Sequence, residues 1–157
     1  MVKIVQRADA RSELYDHLLK TAPTVKNDCA VKAIAIIADA DYATAHAAAV
    51  ECGFTPRVGM YWQHTINCLG EKFGIEGHTV THDFITTMRT QLRVQKNYII
   101  KNVTTRQLSM FPDLLPKGTF LVGTYGHVLA VKNGQVQDYA KRYAYHINRV
   151  FKVVDSK

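Results

Sequence analysis

Three side chains spread along the chain have the types that thiol acyl chemistry needs: Cys29, His127 and Asp138. A thiolate attacks a carbonyl, an imidazole holds and returns its proton, and a carboxylate fixes the imidazole in one tautomer. Type alone does not make a site, because a cysteine beside an apolar run is usually a buried structural residue. Cys29 is set apart by its position. It follows the polar run Lys26-Asn27-Asp28 and precedes an almost unbroken apolar segment. That is the expected first turn of a helix, where unpaired amides and the helix dipole favour an anion. Asp28 opposes this effect if its carboxylate faces the thiol.

His127 and Asp138 are related through a turn. Asn133-Gly134 is the strongest short hairpin signal a sequence offers, and it lies between stretches rich in β-branched and aromatic residues. A two-residue turn pairs Lys132 with Gln135 and then Leu129 with Asp138. Side chains alternate along a strand, so His127 shares a face with Leu129 and lies diagonal to Asp138. From there a carboxylate can hold the imidazole. A longer loop would shift the register and weaken the pairing.

These side chains require helices in front and a sheet behind. Residues 12–20 carry Leu14, Leu18 and Leu19 at helical spacing. Residues 29–38 read as a buried helix whose only charge is Lys32, with Asn27 or Asp28 as its N-cap. Residues 42–52 form an alanine-rich helix stopped by Gly53. Trp62, Ile66, Leu69 and Phe73 define another, closed by Gly74, and Ile85, Met88 and Leu92 suggest one more. Thr104 and Gln107 offer a capping box before Leu108 and Phe111, and Pro112 ends that element. The period then becomes strand-like through "GTFLVGTYG" and "HVLAVKNGQVQDY", and a last strand covers residues 149–154. Helices first and a small antiparallel sheet after them is an α+β order, here in one domain over 1–157.

The 157 residues suffice for one domain with a real core. A content of 47% hydrophobic and 21% charged residues excludes a disordered chain. No apolar run is long enough to span a bilayer and the N-terminus has no h-region, so the cytoplasm is the expected compartment. Cys52 and Cys68 have no partner set and read as structural, and without a C-x-x-C neither a disulfide framework nor a zinc ribbon is expected. His78 and His82 in "HTVTH" have helical metal-ligand spacing, but the intervening Thr79, Val80 and Thr81 favour a strand and a surface pair. The net charge is +7, and residues 84–112 carry Arg89, Arg93, Lys96, Lys101 and Arg106 without a carboxylate. A solvated face explains this stretch better than nucleic acid, since no aromatic interleaving accompanies it. Met60 and Tyr61 are candidates for a groove wall, and Trp62 reads as core.

A cysteine opening a central helix, followed by a histidine and an acid on adjacent strands, resembles the papain-like cysteine peptidases. The local text is most similar to their double-glycine-peptidase-like branch. There "DC" opens the helix, and a histidine followed by apolar residues precedes a strand ending in aspartate. The matching residues here are Asp28-Cys29, "GHVLAV" from Gly126 to Val131, and "VQD" ending at Asp138. "NDCAVKAIAI" and "GTFLVGTYGHVLAVKNGQVQD" also resemble short bacteriophage and bacterial members of the group. The resemblance implies a papain-like α+β fold and a Cys29–His127–Asp138 triad that cleaves a peptide, isopeptide or other acyl bond. It implies a peptide or protein substrate and no metal or organic cofactor. Papain-like enzymes place an oxyanion glutamine six positions before the cysteine, where this chain has Pro23. Asn27 is the nearest side-chain amide and the candidate substitute donor beside the Cys29 backbone amide. Tyr139 follows Asp138 where many relatives have proline.

The departure at Pro23 motivates a different expectation on the same fold. It is a weak or inactive effector, phage or bacterial, holding a host protein or nucleic acid on its basic surface. A lesser alternative is a structural domain in which Cys29→Ala alters stability alone.

Overall fold

The apolar run after Cys29 forms the central helix of the protein. The computed structural model describes residues 13–20, 22–23, 27–96, 103–110, 117–138 and 146–154. Helix α1 is Glu13–Leu19, α2 Cys29–Ala38, α3 Tyr42–Glu51 and α4 Trp62–Phe73. Val31 and Ile34 of α2 are completely buried, and Ala30, Ala33, Ala35, Ile36 and Ile37 are buried with them. A helix apolar on every side can only be stable when surrounded, and α1, α3 and α4 pack around it. Asp39 turns α2 off in the left-handed conformation at φ 54°, and Asp41 then caps α3 by accepting from the Thr44 amide at 2.7 Å. Gly74 closes α4 at φ 66°.

The rest of the chain builds the sheet and its second cover. Strand β1 is Gly77–Thr79, α5 Thr81–Lys96, α6 Thr105–Met110, β2 Thr119–Thr124, β3 His127–Lys132, β4 Gln135–Gln137 and β5 Ile147–Val153. The strand order is β1-β5-β2-β3-β4, and every neighbouring pair is antiparallel. Alternate residues supply two cores. Leu121, Ala130 and Phe151 join the cluster around α2. Phe120, Val122, Leu129, Val131 and Val150 join Phe84 and Met88 of α5 and Leu108 of α6. The sheet is therefore covered on both faces, a mixed helix and antiparallel-sheet protein of the α+β class. Among the described residues, no single helix is long and apolar enough to cross a membrane.

The expected capping box forms reciprocally. The Thr104 amide donates to Gln107 Oε1 at 3.0 Å, and the Gln107 amide to Thr104 Oγ1 at 3.3 Å. Pro112, Tyr139 and Lys101 lie outside the described residues, as do the side chains of Arg93 and Lys96; Arg89 and Arg106 are exposed. "HTVTH" divides differently from expectation. His78 lies in β1, but Thr81 begins α5 and its hydroxyl accepts from the Val150 amide at 2.9 Å. The last strand begins at Ile147 rather than at residue 149.

The Asn133-Gly134 hairpin has the expected register, Lys132 opposite Gln135 and Ala130 opposite Gln137. Asn133 has φ 50° and Gly134 φ 81°, the left-handed pair that a two-residue type I′ turn demands. An alanine at 134 would place a Cβ in that conformation. Gly134→Ala is expected to cost about 1–2 kcal/mol, measured as a lower urea midpoint with an unchanged slope.

Candidate active site

Three elements converge on one point. The start of α2 brings Cys29, the start of β3 brings His127, and the residue after β4 is Asp138. His127 Nε2 donates to Asp138 Oδ2 at 2.6 Å, with the two side chains only 10% and 4% exposed. An ionised carboxylate can only accept, so it fixes the proton on Nε2. Cys29 lines the same groove and the same recess as His127 and acts on this imidazole to favour its charged form. All three residues are thus brought together.

Their electrostatics follow from burial and charge. Burial is the largest influence on His127 and pulls its pKa down. Hydrogen bonds and charge from Asp138 and Cys29 together outweigh it, and the imidazole is raised from 6.5 to about 9. At neutral pH it is a cation held between two partners that favour the cation.

Asp28 does not cap α2, contrary to expectation: it occupies the N-cap position but its side chain makes no capping bond. Its buried carboxylate accepts from the Tyr42 hydroxyl at 2.7 Å and pairs with Lys32 Nζ at 3.1 Å. Burial, then the Asp28 carboxylate, pushes the Tyr42 phenol up. The negative charge beside the thiol is balanced by Lys32, and the first amides of α2 receive no side-chain cap from Asp28.

Asn27 sits next to this point with a left-handed φ of 57°. Its Nδ2 donates to the carbonyl of Pro56 at 2.7 Å and faces that of Arg57 at 3.4 Å. The carboxamide therefore ties the start of α2 to the turn bridged by Thr55 and Gly59. Asn27 lines the groove with Cys29 while its donor is directed at these carbonyls.

A groove of about 290 Å³ opens beside Cys29 and His127. Met60, Tyr61 and Trp62 form one side, and Gly123 and Arg149 of the sheet another. Sequence reasoning placed Trp62 in the core. It does pack against the core, half-buried, and it borders the groove as well. Gly123 permits this, since a Cβ there would stand 2.9 Å from Trp62 Cζ3. Arg149 escaped notice because nothing local marks it; it reaches the groove through the pairing of Gly123 with Arg149. A smaller recess of about 180 Å³, lined by Tyr15, Asp28, Lys32 and Gly126, touches Cys29 and His127 from another side.

No family model matches the chain, and no curated protein or solved structure matches it. The site therefore has to be understood from its own geometry. Cys68 is completely buried, its thiol pushed up to about 12 by burial and then by its hydrogen bond to Cys52, as suits a structural residue. His78 and His82 stand on different elements, β1 and α5. Among the described residues no cluster of His, Cys, Asp or Glu has the make-up of a metal site.

Proposed function

We propose that the protein is a thiol hydrolase of papain-like type, with Cys29 as nucleophile, His127 as acid and base, and Asp138 as the residue that orients His127. The observation that carries this is the hydrogen bond of His127 to Asp138, with Cys29 beside the same imidazole at the mouth of a groove. The neutral imidazole takes up the thiol proton, and the imidazolium so formed stands beside sulfur as a thiolate. The thiolate adds to a substrate carbonyl, and the first amides of α2 are the donors nearest the developing oxyanion. The C–N bond breaks, His127 gives its proton to the leaving amine, and a thioester remains on Cys29. Two of the influences that raise His127 come from Cys29 and vanish on acylation. The imidazole is then more readily neutral, and so able to accept a proton from the water that releases the acid and restores the thiol.

A reporter ester tests this directly. Incubation with p-nitrophenyl acetate is expected to release nitrophenolate in a burst of one equivalent and to leave a 42-Da adduct on the peptide containing Cys29 (roughly the mass of an acetyl group less a proton). The adduct should be absent in Cys29→Ala. Acetylation spread over lysines, with Cys29 unmodified, would refute the assignment.

The commitment of the Asn27 carboxamide to Pro56 and Arg57 favours a second reading, in which the same fold binds a host protein or nucleic acid and turns over little. That reading expects no burst and no adduct.

A further inference from the structure

We infer that the groove selects an acyl substrate bearing a carboxylate, and that Arg149 is the residue that reads it. This rests on Cys29 being the nucleophile. Among the described residues lining the groove, Arg149 is the one permanent cation, and none is Asp or Glu. Among the described residues the ion pairs are Lys32–Asp28, Lys72–Glu51 and His127–Asp138, so Arg149 is not neutralised by any of them. Its guanidinium lies 5.8 Å from the centroid of the Trp62 ring. Stacking on an indole restrains a guanidinium by its face and leaves its N–H edge for a planar anion.

The backbone makes the arrangement specific. Gly123 stands directly opposite Arg149 on the neighbouring strand, and its missing side chain is what admits the Trp62 ring. With any larger residue at 123, ring and guanidinium would be forced from their places. Arg149 is exposed, its guanidinium over one ring face of Trp62, and a carboxylate meeting it can accept two parallel N–H bonds. The substrate thus presents its scissile carbonyl to Cys29 and an acidic side chain, glutamate or aspartate, to Arg149. An uncharged segment finds the same apolar walls and leaves the cation unmatched.

The test uses matched alkylating probes on the full chain, N-iodoacetyl-glutamate α-amide and N-iodoacetyl-glutamine α-amide, with iodoacetamide as baseline. In each case the Cys29 sulfur forms the S–C bond, iodide leaves, and the thiol proton passes to His127 or solvent. Rates are read at Cys29 alone by peptide mapping. The glutamate probe is expected to react about fivefold or more faster than the glutamine probe, with a preference that declines with added salt. Arg149→Gln should abolish the preference, and Arg149→Lys should retain part of it. A preference unchanged in Arg149→Gln, with iodoacetamide still fast and dependent on His127, would overturn the role of Arg149 and leave the nucleophile standing. Iodoacetamide reacting slowly and without regard to His127 would instead remove the nucleophile, and the substrate assignment with it.

Discussion

Replacing His127 with alanine is expected to slow alkylation of Cys29 by iodoacetamide at pH 6.5 by about tenfold to a hundredfold. The physical cause is the cation. His127 is raised to about 9 and lies beside Cys29, and a cation next to a thiol favours sulfur in the form that reacts. Without it, the adjoining charge is that of Asp28, already matched by Lys32. The rate should then rise steeply with pH, as for an ordinary thiol. Asp138→Asn should have a smaller effect, because an amide still orients the ring but contributes no charge. The measurement is peptide mapping of Cys29 over a pH series, with circular dichroism to establish that the variants are folded. Equal rates in wild type and His127→Ala would remove His127 from the site.

The same imidazole is expected to make the protein lose stability on the alkaline side. Its pKa is about 9 in the folded chain and 6.5 ordinarily. Below pH 6.5 both states carry the proton and the full contribution is present. Between 6.5 and 9 the folded state binds more protons than the unfolded one, so stability falls as pH rises, and above 9 the contribution is gone. The side chain is buried, and the total is on the order of 3 kcal/mol. Urea titrations at pH 6 and pH 9.5 should show this loss in the wild type. His127→Gln, though less stable throughout, should show a much flatter dependence. A wild-type stability that is level or rising over this window would contradict the pairing of His127 with Asp138.

Much of this arrangement was legible in the sequence, for physical reasons that differ between residues. The relation of His127 to Asp138 is local: an Asn-Gly turn fixes the register, and the register fixes the pair. The burial of α2 is also local, because an apolar run without a polar face has no stable exposed position. The misses are non-local. Asp28 looks like a cap from its neighbours, but its carboxylate pairs with Lys32 one turn along α2 and receives the Tyr42 hydroxyl once α3 has folded against α2. Strand β1 has three residues and exists through its pairing with β5, about seventy residues later in the chain. Trp62 has the spacing of a core residue, and only Gly123, far along the sequence, lets it also border the groove. Arg149 is one of many basic residues until the sheet sets it beside Gly123.

The hairpin of β3 and β4 carries His127 and Asp138, the proposed base and its orienting acid, eleven residues apart, whereas the proposed nucleophile Cys29 lies on α2, on the far side of α3, α4 and α5 in chain order. The two halves of the site therefore have different histories during folding. The imidazole and carboxylate can meet as soon as a hairpin closes, on a timescale of about microseconds. The thiol meets them only when the helical layer docks on the sheet, a late event that closes a long loop. If Cys29 is the proposed nucleophile, its reactivity is a clock for that docking: in a refolding chain pulsed with alkylating agent, fast alkylation of Cys29 is expected at the moment the two layers join, not when either has merely formed.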